Sequence, residues 1–274
     1  MQMNDSFSAL PAEREVELTR WQGGPAQRAA DRVAEEAAVA LVYNGLTHVV
    51  IMASPLDLED LGVGFSLSEG IVESLAQVNA VETDPVSDGI AVYLDIARDR
   101  FAPLQDQHRH LAARTGCGLC GTETIEQAVR HPPPVKPGVS VPAAAIQSAL
   151  RALSARQPLN ATTGAVHAAA WAKPDGEIVC VREDVGRHNA LDKLIGAVAR
   201  AGLAFDEGFA VITSRASFEM AQKAATVGIT LLAAISAPTG LAIRVAQETG
   251  LTLLGFTRPG QHNVYANPGR ITYP

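Results

Sequence analysis

The stretch Phe209-Ala-Val-Ile-Thr-Ser-Arg-Ala-Ser-Phe-Glu-Met-Ala-Gln-Lys-Ala-Ala-Thr-Val-Gly-Ile-Thr-Leu-Leu-Ala-Ala-Ile235 decides the fold. Its two apolar runs, residues 209–213 and 230–235, have the length of buried strands. Residues 218–227 between them read as a helix. Further along, residues 241–249 read as a helix and 251–256 as a strand. Upstream, residues 189–201 read as a helix, with strands at 166–172 and 178–181 around the turn signal Pro174-Asp175-Gly176. Residues 142–155 read as one more helix. Strands alternating with helices of these lengths predict a three-layer α/β domain with a largely parallel sheet.

The N-terminal part has a different pattern. Residues 33–43 and 46–52 flank Asn44-Gly45, a strong two-residue hairpin signal. Residues 57–72 follow Pro55 with helical spacing at Leu58, Leu61, Phe65 and Leu67. Two more strands are expected at 78–82 and 90–96, on either side of Asp88-Gly89. The expected organisation has four parts. They are a flexible N-terminus (1–30), a smaller β-rich N-terminal domain (31–114), a cysteine loop with a stiff Pro-rich linker (115–138), and an α/β nucleotide- or cofactor-binding domain (139–274). The fold class is therefore α/β (α+β).

With 274 residues, 47% of them hydrophobic, the chain has ample material for a core. Aromatics make up only 5%, against a stacking-based binder of single-stranded nucleic acid. The formal net charge of −7 argues against any large polyanionic partner. That figure hides an asymmetry. Residues 1–100 hold six basic and seventeen acidic side chains and no Lys, whereas residues 101–274 hold sixteen basic and twelve acidic ones. The positive excess in the second part suits a compact anion carrying a few phosphates. Neither a secretory signal nor a membrane span is visible, so the protein is expected to be soluble and cytoplasmic, with no membrane partner.

Three cysteines, Cys117, Cys120 and Cys180, argue against a secreted disulfide framework. Cys117 and Cys120 sit among Gly116, Gly118 and Gly121. Backbone N–H groups of such a loop stabilise a thiolate, the form that attacks sulfur or ligates metal. The literal Gly-x-Gly-x-x-Gly match lacks the preceding buried strand of a dinucleotide site. Zinc would need two further ligands, and His108 and His110 are too close together for the usual His pair. A thioredoxin-type redox pair lacks its strand-then-helix context. A reactive, movable sulfur, a metal or redox pair, and two unreactive cysteines in a Gly turn all stay open on the residues alone. Cys180 lies in an apolar strand pattern and reads as inert core.

Polar loops recur at successive strand ends of the second part. Arg182-Glu-Asp-Val-Gly-Arg-His188-Asn lies where a strand gives way to a helix, and so does Thr213-Ser-Arg-Ala-Ser-Phe-Glu219. Ser236-Ala-Pro-Thr-Gly240 and Phe256-Thr-Arg258-Pro-Gly-Gln261 follow the next two strands. His167 sits at the start of another strand, where a satisfied buried His is the ordinary reading. One such loop means little, and a polar helix cap explains it equally well. Four of them suggest a crevice for a phosphate-bearing ligand.

Together these segments resemble the formate dehydrogenase accessory sulfurtransferase family (FdhD). The resemblance rests on Thr115-Gly-Cys-Gly-Leu-Cys-Gly121, Thr163-Gly-Ala-Val-His-Ala-Ala169, Arg182-Glu-Asp-Val-Gly-Arg-His-Asn-Ala-Leu-Asp-Lys193, Ser214-Arg-Ala-Ser-Phe-Glu-Met220 and Leu253-Leu-Gly-Phe-Thr-Arg-Pro-Gly260. It implies a cytidine-deaminase-like α/β domain and a homodimer. It also implies a sulfur carrier, or sulfurtransferase, that takes sulfane sulfur from a cysteine desulfurase as a persulfide. The sulfur would pass to molybdenum bis(molybdopterin guanine dinucleotide), the cofactor of the formate dehydrogenase catalytic subunit. In that scheme Cys117 carries the persulfide with Cys120 assisting or dispensable, and no metal is permanently bound. Phe256, Thr257, Arg258, Pro259, Gly260 and Gln261 would hold the guanine nucleotide moiety, with Gln261 where Arg is common in the family. The alternative is a cofactor-binding chaperone without sulfur chemistry, or a zinc or redox Cys-x-x-Cys protein.

Overall fold

The computed structural model describes residues 10–114 and 131–274, the side chains of residues 107–114 excepted. The first elements are strands β1 (Glu13–Arg20) and β2 (Gln27–Ala34), an antiparallel hairpin. Most of this hairpin lies in the stretch expected to be flexible. Both strands are largely exposed, so no alternating apolar face marks them in the sequence. Charges link this hairpin instead: Arg32 meets Glu13 at 2.9 Å, and Arg14 meets Glu35 at 3.1 Å.

Strands β3 (Ala37–Tyr43) and β4 (Leu46–Ala53) follow, joined by Asn44-Gly45 with both residues at positive φ. After helix α1 (Leu58–Ser68) come β5 (Val78–Val86) and β6 (Gly89–Ile96). These strands build a four-stranded sheet in the order β4-β3-β6-β5, with β3 and β6 parallel. Helix α2 (Arg98–Arg114) covers a segment whose polar composition gave no helical period.

The second part contains β7 (Val141–Pro142), α3 (Ala143–Ser154), the short α4 (Pro158–Thr163), β8 (His167–Ala172) and β9 (Ile178–Asp184). Helix α5 (Arg187–Arg200), β10 (Phe209–Ile212), α6 (Phe218–Thr226) and β11 (Leu231–Ala234) come next. The chain ends with α7 (Gly240–Thr249), β12 (Thr252–Arg258), β13 (Gln261–Ala266) and β14 (Ile271–Thr272). Six strands form one sheet, in the order β13-β12-β11-β10-β8-β9.

That sheet is mixed, which corrects the expectation of a largely parallel one. Only β10–β11 and β11–β12 are parallel, and the other three pairings are antiparallel. The reason is local. β8–β9 and β12–β13 are joined by tight turns, and a tight turn can link only antiparallel neighbours.

The three layers follow from the alternation of side chains along β10. Phe209 and Val211 pack with Ile146, Ala149 and Leu153 of α3 on one face. Ala210 and Ile212 pack on the other face with residues of α5, α6 and α7 such as Leu194, Met220 and Val245. This second cluster continues into the N-terminal part through Val39, Leu61 and Leu94, so both parts share one core. Two glycines let α1 and α5 touch backbone to backbone. A Cβ on Gly64 would lie 1.7 Å from the Asp192 carbonyl oxygen, and one on Gly196 would lie 1.9 Å from that of Asp60.

Candidate functional site

The topology brings every strand-end loop to one edge of the six-stranded sheet. β10, β11 and β12 share a direction, so their carboxyl ends lie together. β8 runs against β10, so it starts at that same edge, and His167 there pairs with Asp184 at the end of β9. Hydrogen bonds tie neighbouring loops to each other. Ala168 N donates to Thr213 Oγ1 at 2.9 Å, Thr239 N to Ala216 O at 3.0 Å, and Phe256 N to Ser236 O at 3.1 Å. The carboxyl edge of the parallel strands is where open α/β sheets bind ligands.

At one end of this edge, Phe256 is 37% exposed and has φ 50°. A bulky residue in the left-handed region is strained, and it persists only where the surroundings enforce it. The enforcing feature is a register shift between Gly255 and Arg258, a bulge that re-aims the side chain. The Arg258 guanidinium lies 5.9 Å from the centre of the Phe256 ring. Thr257 is fully buried, and its Oγ1 has no hydrogen-bond partner among the described residues. Pro259 and Gly260 make the turn into β13, Gly260 with φ 82°. Gln147 of α3, which no sequence signal singles out, accepts from Gly260 N at 2.9 Å and donates to Gln261 O at 3.2 Å. The Gly260 amide is therefore already engaged.

Toward the other end lie His167, Arg187, His188, Ser217 and Glu219. His188 Nε2 sits 2.7 Å from a Glu219 carboxylate oxygen. Burial lowers the pKa of both histidines from 6.5. Arg187 lowers that of His167 further, while Glu219 works against the shift at His188. Asp184 fixes the loop that carries Arg187. Its Oδ1 accepts from Gly186 N at 2.7 Å and from Asn189 Nδ2 at 3.0 Å. Its Oδ2 accepts from Ser54 N at 3.0 Å and lies 2.7 Å from Lys193 Nζ. This anchor reaches the end of β4, so the N-terminal part helps to hold the edge.

Cys117 and Cys120 lie outside the described residues. His108, Arg109, His110 and Arg114 fall on the C-terminal half of α2, among the side chains not described. Cys180 is half-buried, and burial pushes its thiol pKa up, away from thiolate.

The model of the FdhD/NarQ family matches residues 34–272. The chain belongs to the FdhD/NarQ family. It is 51% identical to the sulfur carrier protein FdhD of Cupriavidus necator over 263 residues, which cover 96% of this chain and 91% of that one. It is 48% identical to the sulfur carrier protein FdhD of Bordetella bronchiseptica, over 98% of each chain. Among solved structures, a putative formate dehydrogenase accessory protein from Desulfotalea psychrophila matches with a TM-score of 0.75 and 25% identity. That match covers 96% of this chain and all of that one. Within the FdhD/NarQ fold, the strand-end edge is thus built largely from the motifs that carried the resemblance in the sequence. No helix among the described residues is long and apolar enough to cross a membrane.

Proposed function

We infer that this protein is a sulfur carrier serving formate dehydrogenase. The observation that carries the reading is the convergence of five polar segments on one sheet edge in a chain about 50% identical to proteins named as sulfur carriers. Cys117 thiolate attacks the sulfane sulfur of a cysteine desulfurase persulfide. One S–S bond forms as one breaks, and the desulfurase thiolate leaves. The S–S bond then breaks as the terminal sulfur passes to the molybdenum of the bis(molybdopterin guanine dinucleotide) substrate; the metal supplies the two electrons that make it a sulfido ligand, and Cys117 is left as thiolate. Cys120 assists in the loop.

The crevice holds a guanine nucleotide moiety of that substrate. Phe256 and Arg258 offer an aromatic face and a guanidinium, which suit a purine and its phosphates. A homodimer offers two equivalent crevices to a substrate with two guanine nucleotides. The test is mass spectrometry after incubation with a cysteine desulfurase and cysteine. The full chain is expected to gain about 32 Da, one sulfur atom, and Cys117→Ser is expected to lose that gain. An adduct that persists in Cys117→Ser would overturn the assignment.

A further inference from the structure

Three unpartnered polar atoms at this edge lie away from the residues 256–261 that the proposed function uses. Arg187 Nε, His188 Nε2 and Ser217 Oγ are all buried, and none has a hydrogen-bond partner among the described residues. Buried polar groups are normally satisfied, and these three, with Thr257 Oγ1 farther along the edge, are not. The nearby carboxylates do not satisfy them. Asp184 is taken by Lys193, Ser54 N, Gly186 N and Asn189, and the exposed Glu219 lies 2.7 Å from His188 Nε2 without a hydrogen bond between them. Arg187 forms no ion pair among the described residues, unlike Arg182 and Arg200, which share the buried Asp60.

The surroundings suit an oxyanion. Arg187 opens α5 and Ser217 directly precedes α6, a nine-residue helix. The His188–Glu219 contact draws these two helix starts together. His167 closes the cluster from β8. From Phe256 on β12 to His167 on β8 is three strand spacings of about 4.8 Å, roughly 14 Å. A group held here is therefore distinct from one held beside Arg258.

We propose that Arg187 and Ser217 form a second subsite of the crevice that binds a phosphoryl oxyanion. The guanidinium supplies charge and a directed N–H, and the hydroxyl supplies a second donor. The inference rests on the reading that this crevice takes a phosphate-bearing ligand, but it does not depend on the base.

Calorimetric titration of the full chain with inorganic pyrophosphate, guanosine and GDP tests it. Arg187→Gln and Ser217→Ala are each expected to weaken pyrophosphate about tenfold, the scale of one charge-assisted contact, and to leave guanosine binding unchanged. Arg187→Lys is expected to recover part of the loss. Because Ser217→Ala removes a single atom, it keeps the test valid if the Arg187 variants fold poorly. Pyrophosphate affinity unchanged in Ser217→Ala and Arg187→Gln overturns the subsite. Wild-type binding of pyrophosphate without guanosine keeps the subsite and sinks the guanine reading. Binding of neither sinks both.

Discussion

Lys193 Nζ lies 2.7 Å from Asp184 Oδ2, with both side chains fully buried. Burial lowers the lysine pKa while Asp184 opposes the shift. The ammonium also donates to Ser54 O at 2.9 Å, so one ion pair joins the end of β9, helix α5 and the end of β4. Charge taken out of water is costly unless every donor and acceptor is met, and these are nearly all met.

Lys193→Met removes one partner and leaves the Asp184 carboxylate buried beside amides alone. The expected cost is about 3–5 kcal/mol of unfolding free energy. Asp184→Leu combined with Lys193→Met leaves neither member of the pair as an unpaired buried charge, so it is expected to cost less than the sum of the single changes. Urea denaturation of the three variants checks this. Additive losses would show that the pair is not energetically coupled.

Gly64 and Gly196 set the approach of α1 to α5. Gly64→Ala places a methyl 1.7 Å from the Asp192 carbonyl oxygen, and backbone cannot yield as a side-chain tip does. Gly196→Ala meets Asp60 O in the same way, at 1.9 Å. Each change is expected to destabilise by about 3 kcal/mol or more, even though Ala is the better helix former. The thermal midpoint is the readout. A rise in either variant would mean that the helices separate freely.

His167 and His188 make stability depend on pH. Their folded pKa values lie below 6.5, chiefly because burial disfavours imidazolium. The unfolded chain therefore binds more protons than the folded one below that pH. The stability these groups contribute is present above pH 6.5 and is lost as pH falls from there through the lowered folded values. The urea midpoint is expected to drop between about pH 7.5 and 5.5, and His167→Gln is expected to flatten part of that slope. An unaltered slope in the variant would remove His167 from this account.

Much of this architecture was legible, and what was hidden has physical reasons. Residues 209–256 announced their strands and helices because buried strands read as short apolar runs. Hairpin β1–β2 stayed hidden because it buries no alternating face, and α2 because its polar residues carry no apolar stripe. The mixed sheet followed from two tight turns whose strands were expected but whose pairing was not. At the site, the strand-end loops were legible and their partners were not. The segment at residues 182–193 admitted a polar helix cap; in the structure its Asp184 pairs with Lys193 and its Arg182 with Asp60. A lysine nine residues away becomes a partner only once a strand has turned into a helix. Gln147 was silent because an amide on an ordinary helix carries no signal until β13 turns against it.

Phe256 couples strain to recognition, so its replacement by Gly should move stability and binding in opposite directions. A bulky side chain at φ 50° costs about 1–3 kcal/mol, which Gly does not incur. The ring is 37% exposed, so little core packing is lost with it. Phe256→Gly is therefore expected to raise the unfolding free energy by about 1 kcal/mol. The same change removes the aromatic face beside Arg258, and stacking of a base on such a face is worth about 1–3 kcal/mol. Guanosine affinity is expected to fall about tenfold or more, while pyrophosphate affinity stays unchanged. Phe256→Ala keeps a Cβ in the left-handed region, so it is expected to lose guanosine binding without the gain in stability. Guanosine binding that survives in Phe256→Gly would place the base elsewhere in the crevice. Loss of stability in the same variant would show that the bulge needs the ring.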